Sequence, residues 1–247
     1  MILQQLDTKA PVQFEKMATK EQTQRLLAEL DVLQNLLYAE NKHAVLVILQ
    51  GLDASGKDGA IKKVFGGLNP QGLRVQSFKV PTELELSHDF LWRIHQHTPP
   101  KGYIQLFNRS HYEDVLVTRV HGWCSDELAI KRFKAINDFE QMLAEQNNTV
   151  IFKFYLHVSE EEQQQRFRER VEDPAKHWKY NKRDAEEAKL RDKYLQMYQD
   201  VFDHCNVIPW TIVPADQNWY KEHLIVTELV AVLRKLNMQY PELPSDR

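Results

Sequence analysis

Val45-Leu46-Val47-Ile48-Leu49-Gln50-Gly51-Leu52-Asp53-Ala54-Ser55-Gly56-Lys57-Asp58-Gly59 is the stretch whose reading decides the fold. An unbroken apolar segment passes into a tight glycine loop and then into a helix start. A continuous apolar run suits a strand buried on both faces of a parallel sheet. Gly51, Gly56 and Lys57 fit the phosphate-loop pattern G-x-x-x-x-G-K, after a strand and before a helix as that pattern requires. In such a loop the backbone N–H groups and the helix N-terminus face phosphate oxygens. Gly51, Ala54, Ser55, Gly56, Lys57, Asp58 and Gly59 are therefore candidate phosphate- or nucleotide-binding residues, with Lys57 reaching bridging and terminal phosphates. Two acids depart from the pattern: Asp58 takes the usual Ser/Thr place, and Asp53 sits inside the loop. Carboxylates in a phosphate cradle point to a divalent metal between the charges. Asp53 is the candidate for metal binding or for orienting an acceptor group. Asp58, in the first helical turn, also favours the helix dipole without any catalysis.

Outward from this stretch, apolar runs predict strands over residues 45–49, 74–78, 103–107, 149–158 and 208–213. Apolar residues at helical spacing predict helices over 20–40, 57–66, 82–95, 125–146, 184–204 and 223–236. Gly66-Gly67 is read as the C-terminal stop of the second of these, Ser125 as the N-cap of the fourth, and Ser159-x-x-Glu162 as a capping box. Residues 1–17 read as a loosely docked arm, and the tail from Pro241 as frayed. Alternating strands and helices give an α/β fold, a five-stranded parallel sheet with helices on both faces. Residues 159–184 do not fit that layering and read as a flap over the sheet edge. The expectation is a single domain over 1–247, with an arm and helix at 1–43 and a lid insertion at 159–184.

The chain has 247 residues, 43% of them apolar and 27% charged, as expected of one globular domain with a sizeable core. A net charge of −3 excludes a global basic field for nucleic acid or a membrane surface, so any polyanion site is a local patch. Cys124 and Cys205 are far apart, fit no ligand spacing and read as reduced thiols. The N-terminus lacks a signal pattern and no apolar run approaches about 18 residues, which predicts a cytoplasmic protein.

The third strand ends in Asn108-Arg109-Ser110-His111-Tyr112-Glu113-Asp114. Polar residues after a buried strand mark a site at the carboxyl edge of the sheet. If this strand lies beside the first, Arg109 faces the phosphates and stabilises charge on a transferring phosphoryl group, and Glu113 holds metal. A surface Arg–Glu ion pair is the plainer alternative. Asp114 and Arg119 are further candidates, against a helix-face salt pair, and His111 reads as a hydrogen-bonding neighbour. The flap carries Arg166, Arg168, Arg170, Lys176, Lys179, Lys182 and Arg183, interleaved with Trp178 and Tyr180. Arg166 and Arg170 share a helical face while Arg168 points to solvent. Such a segment reads as a cationic lid that excludes water when closed. Asn181-Lys182-Arg183-Asp184 spells N-K-x-D, but no apolar strand precedes it as guanine recognition requires. Asp184 reads instead as a helix cap or a hinge contact.

The loop at 51–59, Phe107-Asn108-Arg109-Ser110-His111-Tyr112-Glu113-Asp114-Val115, Asp173-Pro174-x-Lys176-x-Trp178-Lys179, and Pro209-Trp210 with Pro214-Ala215-Asp216 together resemble the family-2 polyphosphate kinases. The resemblance runs over roughly 20–235 in one order. It implies a three-layer P-loop kinase-like fold with a helical lid, similar to thymidylate kinase. It also implies transfer of phosphoryl groups between inorganic polyphosphate and a nucleotide with Mg²⁺ (Mn²⁺ as an alternative), in a homodimer or homotetramer. Lys57 and the loop amides would bind phosphates, Asp53 would bind metal or position the acceptor, and Arg109 would bind the reacting phosphates. Arg166, Arg170 and Lys179 would close over them. The N-R-S-H-Y-E-D-V wording is similar to the branch that accepts both nucleoside mono- and diphosphates. Asn108 stands where the wider family has an acid, which shifts metal binding towards Glu113, and Asn218 stands in place of a lysine. The expected activity is reversible phosphorylation of AMP and ADP from polyphosphate, with guanine nucleotides as alternative acceptors. An ATP-dependent nucleotide kinase of the same fold and a nucleotide-binding regulatory switch are the rival readings.

Overall fold

The computed structural model describes residues 2–182 and 184–243, with the side chains of 184 and 185 outside the description. Arg183 and the side chain of Asp184 therefore lie outside the described residues. Five strands form one parallel sheet: β1 (Ala44–Gln50), β2 (Leu73–Ser77), β3 (Ile104–Asn108), β4 (Thr149–His157) and β5 (Trp210–Pro214). The order is β2-β3-β1-β4-β5, so β3 does lie beside β1. β1 is buried along its whole length. Val45, Val47 and Leu49 enter one apolar core, while Leu46 and Ile48 enter another. This is the period-two alternation of a strand with a packed layer on each face.

The helices are α1 (Lys16–Glu40), α2 (Lys57–Ala60), α3 (Glu83–Leu86), α4 (Trp92–His95), α5 (Val117–Val120), α6 (Asp126–Asn147), α7 (Glu160–Glu172), α8 (Asp184–Ala188), α9 (Arg191–His204) and α10 (Asn218–Arg234). Leu30 and Leu37 of α1 join Leu229 and Leu233 of α10 in the first core. Phe133, Ile136 and Phe139 of α6 join Leu195 and Val201 of α9 in the second. Ser125 accepts from Leu128 N at the start of α6, as its cap role predicts. Leu128 and Ile130 of this helix, although apolar, are exposed.

Several sequence expectations are corrected. The helix predicted over 82–95 is two short helices, because Ser87 Oγ donates to the Leu84 carbonyl and Asp89 Oδ1 accepts from Leu91 N. Side chains that bond their own backbone compete with the helix ladder. The helix predicted over 184–204 is broken at 189–190 into α8 and α9. α2 continues as a π-helical turn, Ile61–Phe65, which ends at Gly66 as expected, although that glycine is right-handed. A Cβ on Gly66 would lie 2.3 Å from the Lys62 carbonyl oxygen, so close backbone approach explains the glycine. Ser159 accepts from Glu162 N, but Glu162 turns to Arg166, so only half of the capping box forms. The N-terminal arm is firmly docked: Leu3 N donates to Gln199, and Thr8 Oγ1 donates to Asp216 Oδ2 over 2.8 Å.

Candidate active site

Leu49 of β1 is in register with Asn108 of β3, and Arg109 N donates to the Leu49 carbonyl over 3.1 Å. The loop after β1 and the turn after β3 therefore emerge side by side at the carboxyl edge of the sheet. Gly51 needs its missing side chain, since a Cβ there would lie 2.9 Å from the Leu156 carbonyl oxygen. Lys57 is buried, and its Nζ donates to the Gly51 and Leu52 carbonyls over 2.8 and 3.1 Å. Burial, then the positive charge of Arg109, lowers its pKa to about 8, against the pull of Asp53, Glu113 and Asp58.

Arg109 joins the two neighbouring segments. One guanidinium nitrogen donates to Asp53 of the loop, and the other donates to Glu113 Oε2 over 3.3 Å. Its φ of 62° places a non-glycine residue in the left-handed region, a conformation held only where surrounding structure over-determines it. Burial pushes the Asp53 carboxyl up, but Arg109, Lys57 and Arg170 together hold it below its ordinary value. Glu113, more than Asp53, pushes the Arg109 pKa up against burial. In the Gln50 amide orientation that satisfies both its ends, Nε2 donates to Glu113 Oε1 over 3.0 Å and to Tyr198 Oη over 3.1 Å.

Among the described residues, no group of three or more His, Cys, Asp or Glu side chains is placed to hold a metal ion. The carboxylates of Asp53 and Glu113 instead bracket a single guanidinium beside the phosphate loop. Mg²⁺ is commonly held by one or two carboxylates together with substrate phosphates, and this hard oxygen pair fits that donor set. His111, as its sequence context suggested, is a hydrogen-bonding neighbour: its Nε2 meets Glu140 Oε1 at 3.1 Å in the core.

The 160–182 segment reaches the same loop. Arg166 Nη1 donates to the Ala54 carbonyl over 2.9 Å, and its Nη2 donates to the Ala215 carbonyl over 2.7 Å. Arg170 lies close enough to Asp53 to lower its pKa. Lys179 Nζ donates to Asp58 Oδ2, and Asn108 Nδ2 donates to Asp58 Oδ1. Arg168 stays on the surface with Gln165, and Lys176 pairs with Glu169. Arg119 is not brought to the loop. Its guanidinium is held by Asp126 and Asp200, at 2.7 and 2.9 Å. Asp114 is turned to Arg93.

The polyphosphate kinase 2 (PPK2) family model matches residues 13–242. The chain belongs to this family. An AMP/ADP-polyphosphate phosphotransferase of Meiothermus ruber is 48% identical over 92% of this chain and 85% of the relative. An ADP-polyphosphate phosphotransferase of Rhodopseudomonas palustris is 44% identical over 85% of this chain and 77% of the relative. The crystal structure of polyphosphate kinase 2 from Arthrobacter aurescens TC1 superposes with a TM-score of 0.96 at 38% identity, covering 100% of this chain and 90% of that one. This PPK2 chain is accordingly a phosphotransferase with a P-loop kinase-like α/β fold.

The PPK2 fold brings to the loop residues that no motif marked. Gln163 Nε2 donates to the Asp53 carbonyl over 2.9 Å, and Arg191 Nη1 holds Gln163 Oε1 at 2.6 Å. Tyr198 Oη accepts from Gly51 N over 3.1 Å. Arg191, Tyr194 and Tyr198 of α9 line a pocket with Asp53, Arg109 and Glu113. Lys221 Nζ donates to the Gly56 carbonyl. Only the arginine and lysine could have stood out in sequence, and nothing local distinguished them from surface cations.

Proposed function

We propose that this protein transfers phosphoryl groups from inorganic polyphosphate to AMP and ADP, reversibly. The observation that carries this reading is the single guanidinium of Arg109 between Asp53 and Glu113, beside a phosphate loop that Arg166 and Lys179 contact from the 160–182 segment. Two polyanions repel strongly at bonding distance. A site that joins them needs concentrated local cations, and in a chain with net charge −3 the guanidinium of Arg109, the Lys57 ammonium and the cations of the 160–182 segment supply them beside the loop. The names of the family relatives support polyphosphate as the donor and AMP and ADP as acceptors.

In this reading the loop amides and Lys57 bind phosphate oxygens. An oxygen of the nucleotide's terminal phosphate attacks the terminal phosphorus of the polyphosphate. The bond from that phosphorus to the next bridging oxygen breaks, and the chain leaves one unit shorter with the electron pair. Arg109 stabilises the charge spread over the transferring group, so catalysis is positioning and charge neutralisation. Asp53 and Glu113 would hold Mg²⁺, with Mn²⁺ as the alternative; when bound, such an ion neutralises phosphate charge. The 159–184 insertion acts as a lid that carries Arg166, Arg170 and Lys179 and excludes water. It belongs to a single domain with an arm and helix at 1–43. No helix among the described residues is long and apolar enough to cross a membrane. Cytoplasmic location, homodimeric or homotetrameric assembly and acceptance of guanine nucleotides complete the proposal.

The test is incubation of the pure protein with AMP or ADP, Mg²⁺ and long-chain polyphosphate, without ATP. ADP and ATP are the expected products. Absence of product with polyphosphate, together with turnover on ATP, would assign the site to an ATP-dependent kinase instead.

A further inference from the structure

Lys221 has no place in the roles above, yet it reaches the phosphate loop from behind. It is the fourth residue of α10 and is 0% exposed. Its Nζ donates to the Gly56 carbonyl over 3.2 Å and to Asn218 Oδ1 over 2.8 Å. Gly56 is left-handed, with φ of +94°, and a Cβ on it would lie 2.4 Å from Lys221 Nζ. The left-handed backbone favours glycine at this position, and the absence of a side chain leaves the ammonium group its place against that peptide.

The charge stands in an unfavourable place. A cation in the first turn of a helix opposes the helix dipole. Burial, followed by Arg166, lowers the Lys221 pKa to about 8, and Lys57 acts in the same direction. Glu222 and Glu162 act in the opposite sense, but among the described residues neither forms an ion pair with it. Arg166 itself is committed to Glu162 and to the Ala54 and Ala215 carbonyls. A buried lysine without a paired carboxylate is costly. Here Asn218 of its own helix holds the ammonium group from one side, and its other hydrogen bond is directed at the loop.

We infer that Lys221 is a positioning residue for the phosphate loop, holding the Gly56 peptide so that the loop's N–H groups meet a phosphate chain, and adding a buried positive charge that the chain's negative charge balances. The inference rests on the proposed polyphosphate reading. It predicts that Lys221 acts on the polyphosphate side of the reaction and leaves the nucleotide side alone.

The experiment is Lys221→Met, which keeps the aliphatic volume and removes the charge and the donor. Tripolyphosphate binding is measured by calorimetry, and KM is measured separately for long-chain polyphosphate and for AMP. The expected result is a rise of about tenfold or more in the tripolyphosphate Kd and the polyphosphate KM, as befits a lost charge-assisted hydrogen bond. The AMP KM stays within about twofold, since a contact made only behind the loop touches one substrate. An unchanged tripolyphosphate Kd, or equal rises in both KM values, overturns the inference. If the Met variant does not fold, Lys221→Gln removes the charge while keeping an amide donor and is expected to show a smaller rise, still confined to polyphosphate; equal rises in both KM values there also overturn it. If the wild-type protein binds no tripolyphosphate, the polyphosphate reading fails first. The same variants titrated with ATP then decide whether Lys221 positions the loop for a nucleoside triphosphate.

Discussion

Lys179 Nζ stands 3.0 Å from Asp58 Oδ2, which ties the segment after α7 to the first turn of the phosphate-loop helix. Asn108, at the end of β3, holds the other oxygen of the same carboxylate over 2.9 Å. Burial raises the Asp58 pKa, but Lys179 and Asn108 outweigh it and hold it below its ordinary value. The acid in the place of the usual Ser/Thr thus joins three elements: loop helix, sheet edge and proposed lid.

Asp58→Asn and Lys179→Met should therefore loosen the 174–179 segment while changing global stability by no more than about 0.5 kcal/mol, as for other partly exposed ion pairs. Hydrogen exchange should quicken over that segment, with the polyphosphate KM raised about three- to tenfold if the contact closes the site. Unaltered exchange in both variants would show that the contact does not restrain the lid.

Arg109→Lys tests the bridging guanidinium. Lysine keeps the charge but lacks the planar fork that reaches Asp53 and Glu113 together. Turnover should fall by about a hundredfold, the scale for losing one preorganised transition-state donor. The melting temperature should stay within a few degrees of wild type, by roughly 2–4 °C per kcal/mol for a chain of this size. A lysine variant that keeps a third or more of wild-type turnover would remove Arg109 from this role.

The depressed Lys57 pKa gives pH effects of opposite sign on stability and on binding. The folded protein holds this group at about 8, against 10.5 for the ordinary value. Between those limits the unfolded chain binds the proton and the folded one does not, so Lys57 makes stability rise with pH. Tyr155 and Cys205, pushed up by burial, pull the other way at higher pH, so the comparison is made against Lys57→Met. Wild type should gain stability relative to that variant between about pH 7.5 and 9.5. Over the same range its affinity for tripolyphosphate should weaken, because a neutral amine attracts the anion less. A pH-independent stability difference would mean that Lys57 keeps its ordinary pKa in the fold.

A buried network supports the turn that carries Arg109 and Glu113. Lys153 Nζ donates to Glu140 Oε2 over 2.8 Å and to Tyr112 Oη over 2.9 Å, while Tyr112 Oη donates to Glu140 Oε1 over 2.7 Å. Glu140→Ala should cost about 3–5 kcal/mol in urea unfolding, because it strands the Lys153 charge in the core. The double variant Glu140→Leu, Lys153→Met should recover much of that loss. A double variant as unstable as Glu140→Ala would show that His111 and Tyr112 depend on the carboxylate itself.

Much of this molecule could be read along the chain. The phosphate loop is contiguous, and Gly51 and Gly56 hold positive φ values that favour glycine whatever packs against them. The strands announce themselves because both faces of a central parallel strand are buried. Arg109 and Glu113 were legible because they follow a buried strand within one turn. Boundaries failed where side chains bonded their own backbone, as at Ser87 and Asp89. The partners of Arg119 were not legible, because a basic residue looks the same in sequence whether it faces substrate or, as here, pairs with Asp126 and Asp200.

The sequence alone thus determined the sheet, the loop at 51–59 and the family resemblance, since each depends on short-range patterns of burial and backbone freedom. Tertiary structure decided which side chains serve that loop. Gln163, Tyr198 and Lys221 act on it from more than a hundred residues away, through directional contacts of about 3 Å, and Arg191 acts through Gln163. Hydrogen bonds of that length depend on where the helices pack. It also gave Asp58, ambiguous in sequence, its partners, because the lysine and the asparagine that hold it arrive from different ends of the fold.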